Sequence, residues 1–244
     1  WSAFEDADPA DPANWALANP ALGRRISGEY VDSERRAMSD EHFKRERLGI
    51  WSKVGSSSAI PADFWAQCLD PESRSGVEVA FGVDVTPLRD VATIAAASRR
   101  ADGNIHIEVV DRRVGTDWVP ARLEELKRKW KPVAMVYTGA SQSSEVIAKS
   151  PKLKRMTMGL DHRTYMQSCG VFFEALGRGS VRHTGQEELD AAVQACRRSK
   201  GGSELWYWTR DDRAEDISPL VACTLALHGL TEKDKKGGSQ WAVL

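Results

Sequence analysis

Cysteine is scarce in this 244-residue sequence: there are four, Cys68, Cys169, Cys196 and Cys223, with no CxxC pair among them. They fall within apolar or helical patterns, which predicts buried free thiols in a reducing compartment rather than a disulfide framework. No run of about 18 apolar residues occurs, so no membrane-crossing helix is expected. The first residues lack the basic and then apolar pattern of a secretion signal. An excess of either charge is also missing, with 34 Lys and Arg against 35 Asp and Glu. That balance argues neither for nor against nucleic acid, because binding depends on local patches rather than the sum. Internal repeats and low-complexity stretches are absent. The chain begins at Trp1 rather than Met, which leads us to expect a piece of a longer protein.

What is present begins with Val77 to Val85, an apolar, β-branched run that carries one carboxylate, Asp84, near its far end. Two more such runs follow, Val91 to Ala97 and Ile105 to Asp111, the latter after the turn Ala101-Asp102-Gly103-Asn104. Alternating β-branched residues around an Asp-Gly turn predict consecutive antiparallel strands. A buried carboxylate must be paired, hydrogen-bonded or metal-bound, so Asp84 is the first candidate for chemistry.

Residues 1 to about 70 read as a helical and irregular connector, broken by Pro9, Pro12, Pro20 and Gly23, that packs on a core rather than making one. From about 77 the order is three strands and a helix from Trp118 to Trp130. A short strand Val133 to Tyr137 and a helix Ser144 to Ala148 come next, then a strand at Met156 to Met158 and a helix Asp161 to Leu176. A helix from Gln186 to Arg198, an edge strand Leu205 to Thr209 and a last helix from Asp216, with Pro219 in its first turn, complete the order. Residues 231–244, rich in Lys, Gly and Ser, are expected to form a mobile tail. This is an α/β order with a mixed central sheet flanked by helices, the order of the ribonuclease H-like fold.

Several segments, in order, resemble one family. They are Asp11 to Gly23, Phe43 to Trp51 leading to Ile60-Pro61 and Trp65, Phe81-Gly82-Val83-Asp84-Val85, Gly115 to Val119, Arg182-His183-Thr184-Gly185-Gln186 with Leu189, and Asp216 to Ala222. Together they resemble the C-terminal nuclease domain of the large terminase subunit of tailed bacteriophages. The resemblance implies a connector over 1–70 from an ATPase domain, for which no GxxxxGK[ST] loop is present here, and a ribonuclease H-like nuclease domain over 71–230. It also implies a divalent-metal-dependent endonuclease, using Mg²⁺ or Mn²⁺ in a two-ion centre, that cuts concatemeric double-stranded DNA during packaging. A small terminase subunit and a portal as partners, and a phage protein acting in the host cell cytoplasm, follow from the same resemblance.

Hydrolysis of a phosphodiester calls for a metal held by carboxylate oxygens from distant positions. Asp84 and Asp216 are the catalytic and metal-binding candidates. A turn-capping role for Asp84 with Thr86, and a helix-capping role for Asp216, are the plain structural alternatives. Asp211 and Asp212 precede Asp216 in a polar loop and are fallback ligands. His183 is a candidate for contacting a phosphate or moving a proton, against a structural role. Arg112 and Arg113 are candidates for backbone phosphates of DNA, against an exposed loop. In the family, the strand matching Val133 to Tyr137 ends in another metal-binding Asp, whereas Thr138 stands here. That departure means an inactivating change, ligation by another acid such as Asp161 or Glu145, or a misplaced alignment. The competing functional reading is therefore a catalytically impaired DNA-binding module of the packaging motor; a ribonuclease H-like recombinase or transposase is disfavoured by the connector motifs.

Overall fold

The computed structural model describes residues 1–4, 7–38, 40–50, 58–139, 141–200, 205–210 and 216–237. They fold as two compact units, 1–57 and 58–244. The first holds α1 (Pro12–Ala18), α2 (Gly28–Ala37) and α3 (Asp40–Arg47). The second begins with α4 (Ala62–Ala66), β1 (Val79–Val85), β2 (Val91–Arg99), β3 (Ile105–Val114), α5 (Val119–Trp130), β4 (Ala134–Thr138), α6 (Gln142–Ala148) and α7 (Pro151–Met156). It continues with β5 (Met158–Leu160), α8 (His162–Gly177), β6 (Val181–Arg182), α9 (Glu187–Ala195), β7 (Arg197–Lys200), β8 (Trp206–Thr209) and α10 (Ser218–Gly237).

The first unit corrects one expectation, because it has a core of its own. Trp15, Val31, Phe43 and Leu48 are buried together, with the rings of Trp15 and Phe43 edge-on at 6.2 Å. Asp11 caps α1 by accepting from the Ala13 N–H at 2.9 Å, and Pro12 occupies the first turn, where proline's missing donor costs nothing. Asn19 ties the end of α1 to α3 by donating to the Arg47 carbonyl at 2.8 Å. The unit boundary falls at 57/58 rather than near 70, since Ile60 and Cys68 are buried in the core of the second unit.

That second unit is built on a six-stranded sheet of order β5-β4-β1-β2-β3-β6. β1, β2 and β3 run antiparallel in sequence, while β4 joins β1, β5 joins β4 and β6 joins β3 in parallel. The sheet is mixed and flanked by helices, as the element order predicted. Strand alternation sorts the side chains into two cores. Val79, Phe81, Val83 and Val85 of β1 pack with α5, α6 and α7, among them Leu123, Ile147 and Leu153. Ala80 faces the other way, with Ala95, Ala97, Phe172 of α8 and Leu225 of α10.

Small residues on this second face let α10 lie close on β1. A methyl group added at Gly82 would come 2.0 Å from the Ala222 carbonyl oxygen and 2.6 Å from the Ala226 nitrogen. Only a residue without a Cβ permits that approach, and the first turn of α10 is thereby brought over the end of β1.

Some boundaries moved. The expected strand at Met156 to Met158 divides into the end of α7 and the start of β5. The helix expected over Gln186 to Arg198 stops at Ala195, because 197–200 pair with β8 as β7. α10 continues to Gly237, into the stretch expected to be a tail, while 238–244 lie outside the described residues. The four thiols are buried and free, as expected. No helix among the described residues is long and apolar enough to cross a membrane.

Candidate metal centre

The register of the sheet draws one polar row across the α10 face. Asp84 on β1 pairs with Thr93 on β2, and Thr93 pairs with Arg112 on β3. On the other side, β1 and β4 pair up to Val83 and Tyr137. Thr138 is the next residue of its strand, beside Asp84. Residues directly opposite in a sheet share a face, so Thr138, Asp84, Thr93 and Arg112 project on one side. Over this row lies the start of α10, where the Ser218 and Thr93 hydroxyls are hydrogen-bonded at 2.7 Å.

Asp216 stands two residues before Ser218 and does what a capping residue does: its Oδ1 accepts from the Ser218 N–H at 2.8 Å. Its Oδ2 accepts from Arg112, at 2.9 Å from Nε and 2.8 Å from Nη2. The same carboxylate thus bonds the start of α10 and Arg112 of the polar row. A helix cap is also what fixes its carboxylate over the sheet.

Asp84 is 8% exposed. Burial pushes its carboxyl up to about 7, the Asp216 carboxylate adds to the rise, and the Val85 backbone and Arg210 oppose it. Removal from water disfavours the charged form, and a neighbouring like charge does so again. The Asp216 charge thus acts on Asp84 in the same direction as burial. Such a pair of oxygen donors suits a hard divalent cation, which relieves the repulsion and the desolvation together. The residues present fit one such ion, with Asp84 and Asp216 as charged ligands and the Thr138 hydroxyl beside them.

Thr138 is engaged locally: its hydroxyl donates to Ser141 Oγ at 2.8 Å, and Ser141 returns a bond to the Thr138 carbonyl at 2.8 Å. The alternative acids are engaged elsewhere as well. Asp161 is the N-cap of α8, accepting from the Thr164 N–H at 2.7 Å, which holds its carboxyl below the usual range. Glu145 is exposed on α6 and paired with Arg89. Among the described residues no group of three or more His, Cys, Asp and Glu is gathered to hold a metal. Asp211 and Asp212 lie outside the described residues.

His183 is not part of this row. It follows Arg182, which pairs with His106 on β3. His106 and Arg112 are six positions apart on β3, about 20 Å at the rise of a strand. The His183 ring is buried, stacked on Trp65 at 3.8 Å between centroids, and accepts at Nδ1 from the Gly185 N–H. With Nδ1 an acceptor, Nε2 is the protonated nitrogen and donates to the Trp65 carbonyl at 3.1 Å. Desolvation holds its pKa below the ordinary value. The histidine fastens residues 65–69 to the sheet edge.

Arg112 and Arg113, adjacent in sequence, part company. Arg113 faces α5, pairs with Asp111 and stacks on Trp118 at 4.9 Å. Arg112 alone reaches the row. Thr93, Ser218 and Tyr165 were missed by the sequence reading. Tyr165 is a buried hydroxyl whose pKa is raised first by burial and also by the Asp84 charge, which puts it near the site. A polar residue inside the apolar run Val91 to Ala97 was the signal for Thr93.

Residues 2–111 match the family model described as "Terminase large subunit, endonuclease domain". No curated protein matches the chain. Among solved structures, the HK97 bacteriophage large terminase is 15% identical with a TM-score of 0.56, covering 93% of this chain and 56% of its own. The large terminase nuclease from thermophilic phage G20c with bound magnesium is 15% identical with a TM-score of 0.53, covering 70% of this chain and 96% of its own. The Thermus phage P74-26 large terminase nuclease domain is 15% identical, TM-score 0.50, covering 72% and 94%. The chain spans 56% of the HK97 protein's length. The ribonuclease H-like fold and the resemblance to phage large terminase nuclease domains are thus shown.

Proposed function

We propose, from its likeness to large terminase nuclease domains, that this chain is a divalent-metal-dependent endonuclease that cuts double-stranded DNA during the packaging of a phage genome. What supports the reading is the polar row that the sheet register sets beneath the start of α10, with Asp84 buried on β1 and Arg112 on β3 bonded to Asp216. A bound Mg²⁺ or Mn²⁺ supplies the charge that activates water and offsets the negative charge on the phosphate. Asp84 and Asp216 would hold it. Arg112 orients Asp216, the Thr93–Ser218 bond fixes the approach of α10, and Arg210, whose charge acts on Asp84, lends positive charge where the phosphates of DNA approach. Asp84 and Asp216 are assigned to one ion; a second would draw on Asp211 or Asp212.

An ATPase domain elsewhere in the full protein, a small terminase subunit, a portal and action in the host cytoplasm belong to the same proposal. The test is incubation of the 244-residue chain with supercoiled plasmid and Mn²⁺ or Mg²⁺. Nicking that needs metal and is lost in Asp84→Ala is expected. DNA binding without cleavage at any metal concentration would overturn the nuclease reading and leave the impaired binding module, in which case Thr138→Asp should restore cutting.

A further inference from the structure

Arg112 makes the clearest contact that the nuclease chemistry leaves unexplained. A residue expected to face DNA phosphate instead places two nitrogens on one oxygen of Asp216. It does so within a cavity of about 480 Å³ whose walls also include Glu187 and Glu188. Those two acids lie in the first turn of α9, where the helix dipole favours negative charge. The Arg112 side chain is 38% exposed and that of Asp216 18%, so the pair is partly screened and weak enough to be exchanged. One carboxylate therefore holds the guanidinium, and two more line the same cavity. The one that holds it is also the one that Asp84 repels.

We propose that Arg112 is a positioning residue. It serves as the resting counter-ion of Asp216 and passes to Glu187 and Glu188 when a divalent cation takes that carboxylate. This inference rests on the metal-centre reading above. In the metal-free protein the guanidinium neutralises Asp216 and keeps it aimed over β1, so the two aspartates stay together without a metal. Arrival of the cation puts two positive groups in competition for one oxygen. The acidic wall across the cavity gives the guanidinium a place to go. The arrangement sets a threshold: metal binds only at a concentration that displaces Arg112.

The experiment is titration calorimetry with Mn²⁺ alone, without DNA, on wild type and four variants, each checked for a cooperative melt. Arg112→Ala should bind Mn²⁺ about tenfold more tightly, having lost both the competitor and a nearby positive charge. Arg112→Lys, which keeps the charge but not the two-nitrogen grip, should stay within about threefold of wild type. The Glu187→Gln/Glu188→Gln double variant should bind several-fold more weakly, and adding Arg112→Ala to it should erase most of that loss. If Arg112→Ala melts non-cooperatively, Arg112→Gln carries the same expectation. Affinity unchanged or weakened on removing Arg112 would overturn the inference alone. Absence of Mn²⁺ binding in wild type and every variant would overturn the metal-centre reading, and this inference with it.

Discussion

The two ends of β3 bury polar groups by opposite means. At the β6 end, His183 has both ring nitrogens engaged and its face covered by Trp65. Nearby, the Ser73 hydroxyl meets His106 Nδ1 at 2.8 Å and Arg100 Nη1 at 2.6 Å. At the other end, beside Arg112, Asp84 is buried in view of a second carboxylate and its pKa is driven up to about 7. One end engages its polar groups mostly in hydrogen bonds. The other buries a carboxyl that feels a like charge, which stability alone does not require. Strain of this kind marks a place where a ligand completes the structure.

Replacing the tense residue should break this contrast most sharply. Asp84→Ala should lower metal-dependent plasmid nicking by a factor on the order of 10³, because the principal ligand is gone. The metal-free protein should respond in the opposite direction. Asp84→Asn should raise its unfolding free energy at pH 8 by about 2–4 kcal/mol, measured by denaturant titration, since an ionised buried carboxylate is removed. A destabilised Asp84→Asn protein at that pH would mean the site is not under tension.

Next in size is Gly82→Ala, which should cost about 3 kcal/mol by forcing α10 off β1. Unlike an ordinary core defect, it should weaken Mn²⁺ binding measured in the folded protein as well. His183→Ala should cost about 2 kcal/mol of stability through lost hydrogen bonds and stacking, yet leave Mn²⁺ affinity unchanged in calorimetry. A change in affinity would join the two ends that the structure separates.

The contrast also shows in pH dependence. The raised folded-state pKa of Asp84 makes its contribution fully present below about 3.9, and lost as pH rises through about 7. His183 has the reverse sign: its depressed pKa means stability is lost as pH falls below about 6.5, the unfolded value. Thermal melts of metal-free wild type against Asp84→Asn should separate the two, with the decline between pH 4 and 7 missing from the variant. A decline that survives in Asp84→Asn would assign it to another group.

Much of this was legible in the sequence. β1, β2 and β3 announce themselves by alternation around an Asp-Gly turn, and Asp84 stands out as a charge in an apolar run. Asp216 was visible as a cap, and its bond to Arg112 brings that cap to the polar row. What stayed hidden depends on pairing between distant residues. Thr93 faces Asp84 only once β1 and β2 are in register, and Arg112 and Arg113 separate to opposite faces only once β3 is a strand. β6 spans two residues and β7 reads Arg-Arg-Ser-Lys, too short or too polar for a periodic signal. The core of residues 1–57 escaped because Trp15, Val31, Phe43 and Leu48 are spread over segments broken by proline and glycine, with no common period.

The close seating of α10 on Gly82 has a consequence for change over time. Because the separation of the two aspartates is fixed where helix meets strand, residues gained or lost between β8 and α10 leave that separation alone.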